Sequence, residues 1–193
     1  MIENKKKTII LSLQSTFGQI GDGSLIDRLS PVAVDTTGFL FGKTIVQIAC
    51  GYTHSALVTA DGLVFTWGDN RNGALGISST TNYLVPIQVD NTGAMAGKFI
   101  IHVACGNSYT FALSSDGKLF SWGLNSNNQL GDRTGNTALA PIAVDQNPPS
   151  VIDASFITQI FTGESHVYAI SNTNAVFSWG RNEFVTNFCN KFF

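Results

Sequence analysis

The sequence predicts an all-β fold in which four-stranded antiparallel sheets repeat along the chain, and three observations predict it. Phe65-Thr66-Trp67-Gly68 returns as Phe120-Ser121-Trp122-Gly123 and as Phe177-Ser178-Trp179-Gly180, at spacings of 55 and 57 residues. Asp61-Gly62 and Asp116-Gly117 sit between apolar runs, where glycine accepts the positive φ of a tight hairpin. No segment keeps a 3.6-residue apolar period, so helices are expected to be short or absent. Four strands per repeat of this length read as a β-propeller blade, not a helical solenoid.

The elements follow in that frame. Residues 1–7 form a flexible N-terminus carrying Lys5, Lys6 and Lys7. Residues 8–35 are a partial repeat, with Thr8–Ser12 as a third strand and Pro31–Val34 as a fourth. A full blade spans 46–90, with strands near Val46–Cys50, Ser55–Thr59, Leu63–Trp67 and Pro86–Val89. A second spans 100–145, and 157–182 supplies only the first three strands of another. Other marks keep the same spacing: Ile20-Gly21, Leu75-Gly76 and Leu130-Gly131; Pro31, Pro86 and Pro141; Asp35, Asp90 and Asp145. After Gly180 the pattern fails, and residues 183–193 read as an aberrant tail of a truncated frame. Closed propellers take four to eight blades. The prediction is therefore an incomplete, open β-propeller.

Composition narrows the function. Only 12% of residues are charged and the net charge is −2, with no basic stripe for nucleic acid. No apolar run approaches the roughly 20 residues of a membrane helix. Three cysteines and no Asn-x-Ser/Thr acceptor fit a reducing compartment, cytoplasmic or nuclear.

The string Cys50-Gly51-Tyr52-Thr53-His54-Ser55-Ala56-Leu57-Val58, followed by Phe65-Thr66-Trp67-Gly68-Asp69-Asn70-Arg71-Asn72-Gly73-Ala74-Leu75-Gly76, resembles the regulator of chromosome condensation family. The resemblance covers about 14–182; WD repeats would be shorter, and kelch repeats would show a double glycine. It implies a seven-bladed propeller in complete members, and guanine-nucleotide exchange on the small GTPase Ran in the founding ones. Departures are Ser12-Leu13 where Trp-Gly is expected, Tyr109 in place of the histidine, and the tail. A light-sensing branch of the family carries Gly-Trp-Arg-His-Thr; Gly51-Tyr52-Thr53-His54-Ser55 lacks its Trp and Arg.

The repeated residues read as structure. Trp67, Trp122 and Trp179 suit packing between blades, each ring contributing at most roughly 4–6 kcal/mol. Gly51, Gly106 and Gly163 with His54 and His166, and Gly68, Gly123 and Gly180 after the strands, complete the signature. Each histidine is expected to bond within its own blade; with Tyr109 between them they make no metal site, and no metal or other cofactor is expected. Cys50 and Cys105 are expected as small apolar fillers, and His102 has no partner by spacing. Asn-rich loops 69–73 and 124–128 are expected to be held by their own Asn side chains.

No residue set suggests covalent catalysis. The expected function is a protein-interaction scaffold, with contacts at the varying loop residues Asp69, Arg71, Leu124, Ser126 and Arg181. The alternative is nucleotide exchange on a Ran-like GTPase, which needs no covalent chemistry; no insertion marks a wedge for it. Self-association through open blade edges is a further expectation, while membrane and direct nucleic-acid partners are not.

Overall fold

The computed structural model describes residues 15–144, 152 and 156–182. The expected strand Thr8–Ser12, Asp145 and the tail 183–193 lie outside these residues. The described chain is all-β, without a helix, and none of it could cross a membrane as one.

Three sheets follow one another. β1 (Ile45–Cys50), β2 (His54–Thr59), β3 (Val64–Gly68) and β4 (Tyr83–Gln88) form the first blade in sequence order. β5 (Ile100–Cys105), β6 (Tyr109–Ser114), β7 (Leu119–Gly123) and β8 (Ala138–Ala143) form the second. β9 (Ile157–Thr162), β10 (His166–Ser171) and β11 (Val176–Gly180) form a three-stranded third. Every pairing is antiparallel, and the registers repeat: Ser55 opposes Trp67 as Thr110 opposes Trp122 and Val167 opposes Trp179.

One expected strand is absent. Pro31–Val34 belongs to no sheet, because a fourth strand needs the outer edge of a third, and no described third strand runs beside it.

The two-residue period of a strand sends alternate side chains to opposite neighbours. Ala56 and Val58 pack against Val103, Cys105, Ala112 and Trp122 of the second blade. Leu57, Phe65 and Trp67 turn the other way, onto Val34 and Leu40. In the second blade Tyr109, Phe111 and Leu113 meet Ile157, Ile160, Val167 and Ala169 of the third. Both faces are covered, so β2, β3, β6 and β7 are buried at every position. β1, β5 and β9 run side by side at the hub, where the blades converge.

Polar bonds fix the stacking. The indole N–H groups of Trp67, Trp122 and Trp179 donate to Gln19 O, Ala74 O and Gln129 O of the preceding repeat, at 2.8–2.9 Å. Each acceptor lies two residues before the glycine of the Ile/Leu-Gly mark. At the hub the Gln47 amide donates to Val103 O (2.9 Å) and accepts from Val103 N (2.8 Å), one blade on.

The glycine of Leu75-Gly76 is dictated by the neighbouring blade's Trp122. Its φ is +66°, and a Cβ there would lie 2.7 Å from Trp122 Nε1. Gly97 has a similar φ, +69°, with nothing within 4 Å. Gly97→Ala should cost only the backbone penalty of about 1–2 kcal/mol. Gly76→Ala should cost about 3 kcal/mol or more, since the indole must also move. Urea unfolding of the two variants checks the difference; equal losses would show that the indole contact contributes nothing.

Candidate functional site

One end of the sheets gathers the three β1–β2-type turns, 51–53, 106–108 and 163–165, beside the loops that leave each third strand. Gly68, Gly123 and Gly180 close those strands, and the next residue bonds back to the turn. Asp69 N donates to Thr53 O, Leu124 N to Ser108 O and Arg181 N to Ser165 O, all at 2.9 Å. Three different side chains, acidic, apolar and basic, thus start from one backbone position.

Of the five loop residues chosen from sequence, Arg71, Ser126 and Arg181 are exposed, and Leu124 is half-buried. They are spread one blade to the next and do not form a single cluster. Asp69 is buried (5% exposed), unlike an ordinary contact residue. Its carboxylate pairs with the Arg71 guanidinium at 2.8 Å and accepts from Thr53 Oγ1. Burial raises its pKa, but bonds to Arg71 and Thr53 outweigh that and hold it below the usual range. The guanidinium lies 4.4 Å from the centre of the Phe17 ring while remaining largely in solvent. Asp69 is therefore a positioning group for Arg71.

The loop frame comes from asparagine. Asn70 Oδ1 accepts from Leu75 N and its amide donates to Ser79 O. Asn125 Oδ1 accepts from Leu130 N, and its amide donates to Asp132. Both are fully buried. Asp35 instead caps a turn, accepting from Thr37, and Asp90 accepts from Ser78 Oγ and Thr92, bonds that lower both pKa values.

The signature rings correct the expectation of bonds within a blade. His54 Nε2 meets Thr110 Oγ1 of the next blade at 2.8 Å. Thr110 gives its single proton to Ala74 O, so Nε2 carries the hydrogen and Nδ1 is left without a partner. Tyr109, at the equivalent position, donates onward to the carbonyls of Gly163 (3.0 Å) and His166 (2.9 Å). The reason is register: the first residue of β2 and β6 points into the cleft between blades, not along its sheet. Gly51, Gly106 and Gly163 leave room for these rings; a Cβ on Gly51 would lie 2.5 Å from the His54 ring.

Trp67 and Trp122 are fully buried and Trp179 half-buried. Phe111 meets Trp179 edge-on at 5.8 Å across the blades. Cys105 is buried as expected, whereas Cys50 is exposed, with no inner strand on its side of β1 among the described residues. Burial raises the pKa of the Cys105 thiol. His102 stands at the Gln47-equivalent position, where burial lowers its pKa and the neighbouring Ile160 backbone works against that. Gln47 and His102 were legible only as polar residues recurring 55 apart in apolar strands. His54 and His102 lie at different blade junctions and the His166 ring meets Tyr168 within the third blade, so among the described residues the three do not converge.

Comparison with known proteins follows the same frame. The model of the Regulator of chromosome condensation (RCC1) repeat matches residues 14–58, 61–113 and 116–170. The Ultraviolet-B receptor UVR8 of Arabidopsis thaliana is 34% identical over 168 residues, 86% of this chain and 35% of that protein. The crystal structure of human WBSCR16 superposes with a TM-score of 0.73 at 25% identity, over 86% of this chain and 41% of that one. Prp20p from Saccharomyces cerevisiae gives 0.69 at 22% identity, over 87% and 40%. The chain spans about a third of the receptor's length and two fifths of each structure.

Among the placed residues His54 carries a pH signature. Burial lowers its pKa from 6.5 to about 4, opposed only in part by the Asp69 charge. The unfolded chain takes up the proton first, so stability is complete above about pH 6.5 and falls toward pH 4, by up to about 3 kcal/mol. His54→Gln, which keeps a donor for Thr110, should flatten that segment of a urea-midpoint profile. An unchanged slope would remove His54 as its source.

Proposed function

The chain belongs to the regulator of chromosome condensation repeat family, and on that premise we propose that it is a protein-interaction scaffold whose contacts lie on the face formed by the third-strand loops. The observation that carries this reading is the backbone anchor shared by Asp69, Leu124 and Arg181. Equivalent 2.9 Å bonds fix one backbone position in three successive blades, from which buried Asp69 steers the exposed Arg71, Leu124 stands half-buried and Arg181 is exposed. A fixed frame with varying side chains is what selective recognition of a protein surface requires. Arg71 is the strongest single contact on that face: exposed, pre-oriented by Asp69 and backed by Phe17, it reaches a partner with little ordering cost.

The setting is a reducing compartment, cytoplasm or nucleus, in keeping with the free thiols Cys50 and Cys105. Binding by this face needs no covalent step. Light reception is not part of the reading, since Tyr52 and Thr53 occupy the Trp and Arg places.

A second reading is nucleotide exchange on a small Ran-like GTPase. What favours it is the structural likeness to Prp20p, whose crystal structure is described with its binding to Gsp1p and histones. Exchange would work by binding the nucleotide-free GTPase best.

Photo-crosslinkers at positions 71, 126 and 181 should capture the same partner from extract, and a probe at Asp116, on the opposite hairpin end, should not. Arg71→Glu should weaken that capture by about tenfold, the effect of one interface arginine. Equal capture from both ends would reject the loop face. Labelled-nucleotide release from a Ran-type GTPase should stay at its intrinsic rate; acceleration by substoichiometric protein would select exchange instead.

A further inference from the structure

We propose that Asn72-Gly73 is a self-modification site on the loop face: the asparagine converts spontaneously to aspartate or isoaspartate, and the product disables Arg71 as a contact. The effect on Arg71 rests on the loop-face reading; the conversion itself does not.

The chemistry needs only water. The Gly73 backbone nitrogen attacks Asn72 Cγ, a five-membered imide closes, and the side-chain amide leaves as ammonia with the proton from that nitrogen. Water then opens the ring at one of its two carbonyls. Opening at Cγ leaves aspartate. Opening at the main-chain carbonyl leaves isoaspartate, whose backbone runs through Cβ and is one methylene longer.

Three features select this pair. The first is the state of its rivals. The sequence holds one Asn-Gly pair, and three Asp-Gly pairs, 22–23, 61–62 and 116–117, could close the same ring. Arg28 and Ser24 hold Asp22, Lys43 and Thr59 hold Asp61, and Lys98 and Ser114 hold Asp116. Burial pushes the Asp22 carboxyl up, but its bonds outweigh that; the other two are held low by their lysines and hydroxyls. An ionised carboxylate, unlike an amide, is a poor target for a nitrogen nucleophile.

The second is the side chain. Asn70 and Asn125 are fully buried and bonded through both ends of their amides. Asn72 is half-buried, and its amide makes no hydrogen bond among the described residues. It is the asparagine that the loop frame does not use.

The third is the glycine, and the next blade carries its own control. One repeat on, Asn127 precedes Asn128 in the same turn. Gly73 N donates to Asn70 O and Asn128 N to Asn125 O, each at 2.9 Å, and both second residues are left-handed, with φ of +74° and +56°. The attacking nitrogen is released in both by the same local opening. What differs is that Gly73 has no Cβ to hinder ring closure, whereas Asn128 does.

The product acts on the neighbouring residue. Arg71 and Asp69 cancel each other's charge at 2.8 Å, so a carboxylate at 72 leaves the group net negative. Isoaspartate also lengthens the chain where there is no slack on one side. Gly73 is buried, and a Cβ there would lie 2.7 Å from Leu139 Cδ2 and 3.0 Å from Ala138 O of the next blade. The added methylene is therefore taken up on the Arg71 side, drawing the guanidinium off Asp69 and Phe17.

Ageing the full chain in warm, mildly alkaline buffer tests it, with peptide mass mapping and isoaspartyl methyltransferase labelling as readouts. Asn72 should convert severalfold faster than Asn127, and the label should appear there before it appears at any Asp-Gly pair. Asn72→Gln should remove that label. Conversion of Asn72 no faster than that of Asn127, or label arising first at Asp22, Asp61 or Asp116, overturns the proposal. Aged protein should also lose about tenfold in capture through the crosslinker at position 126, while aged Asn72→Gln keeps it. Unchanged capture by converted protein overturns the link to Arg71. Fresh protein that captures nothing counts against the loop face, and the mapping still decides the conversion.

Discussion

A propeller blade is a sheet with two apolar faces, and neither can be left to water. That constraint organises this molecule. β2 and β6 bury every residue because each is clasped between neighbours, and their composition follows: apolar residues throughout, interrupted by hydroxyls and rings that bond across the cleft. Direction along the chain is built in as well. Each tryptophan reaches back to the preceding repeat, while His54 and Tyr109, at the start of their second strands, reach forward.

The same clasping frees the strand ends for recognition. Because sheet interiors are committed to their neighbours, variation is tolerated only where the chain leaves the sheet. The loops use Asn70 and Asn125 to hold their shape from within, so their outward side chains can change without loss of frame. Asp69 departs from this rule: it starts a variable loop, yet it is buried and spends its charge on steering Arg71.

Much of this was legible in the sequence. The tryptophan spacing and the Asp-Gly turns placed the first three strands of the first blade within one residue, because a stacked repeat must reuse the same side chain at the same site; the fourth begins at Tyr83, three residues before the expected Pro86. The direction of the bonds was not legible. Spacing says that His54, Tyr109 and His166 are equivalent, but their neighbours depend on which way the first residue of a strand faces. Cys50 and Pro31–Val34 were misjudged for one reason: equivalence in sequence does not supply the neighbour that makes a position interior or a strand paired. Among the loop residues, exposure of Arg71 and Ser126 followed from their polarity, while the burial of Asp69 depended on a partner two residues away.

The unlike bonds at the two blade junctions carry a consequence for assembly. An imidazole meets a threonine hydroxyl at the first; a phenol meets two backbone carbonyls at the second. Near-identical modules strung on one chain risk docking in the wrong sequence, as cards of one back can be dealt in any order. Here a swapped pair would set a phenol where an imidazole belongs and strand its proton. Two side chains thus tell the two junctions apart, while the apolar packing at both is of one kind.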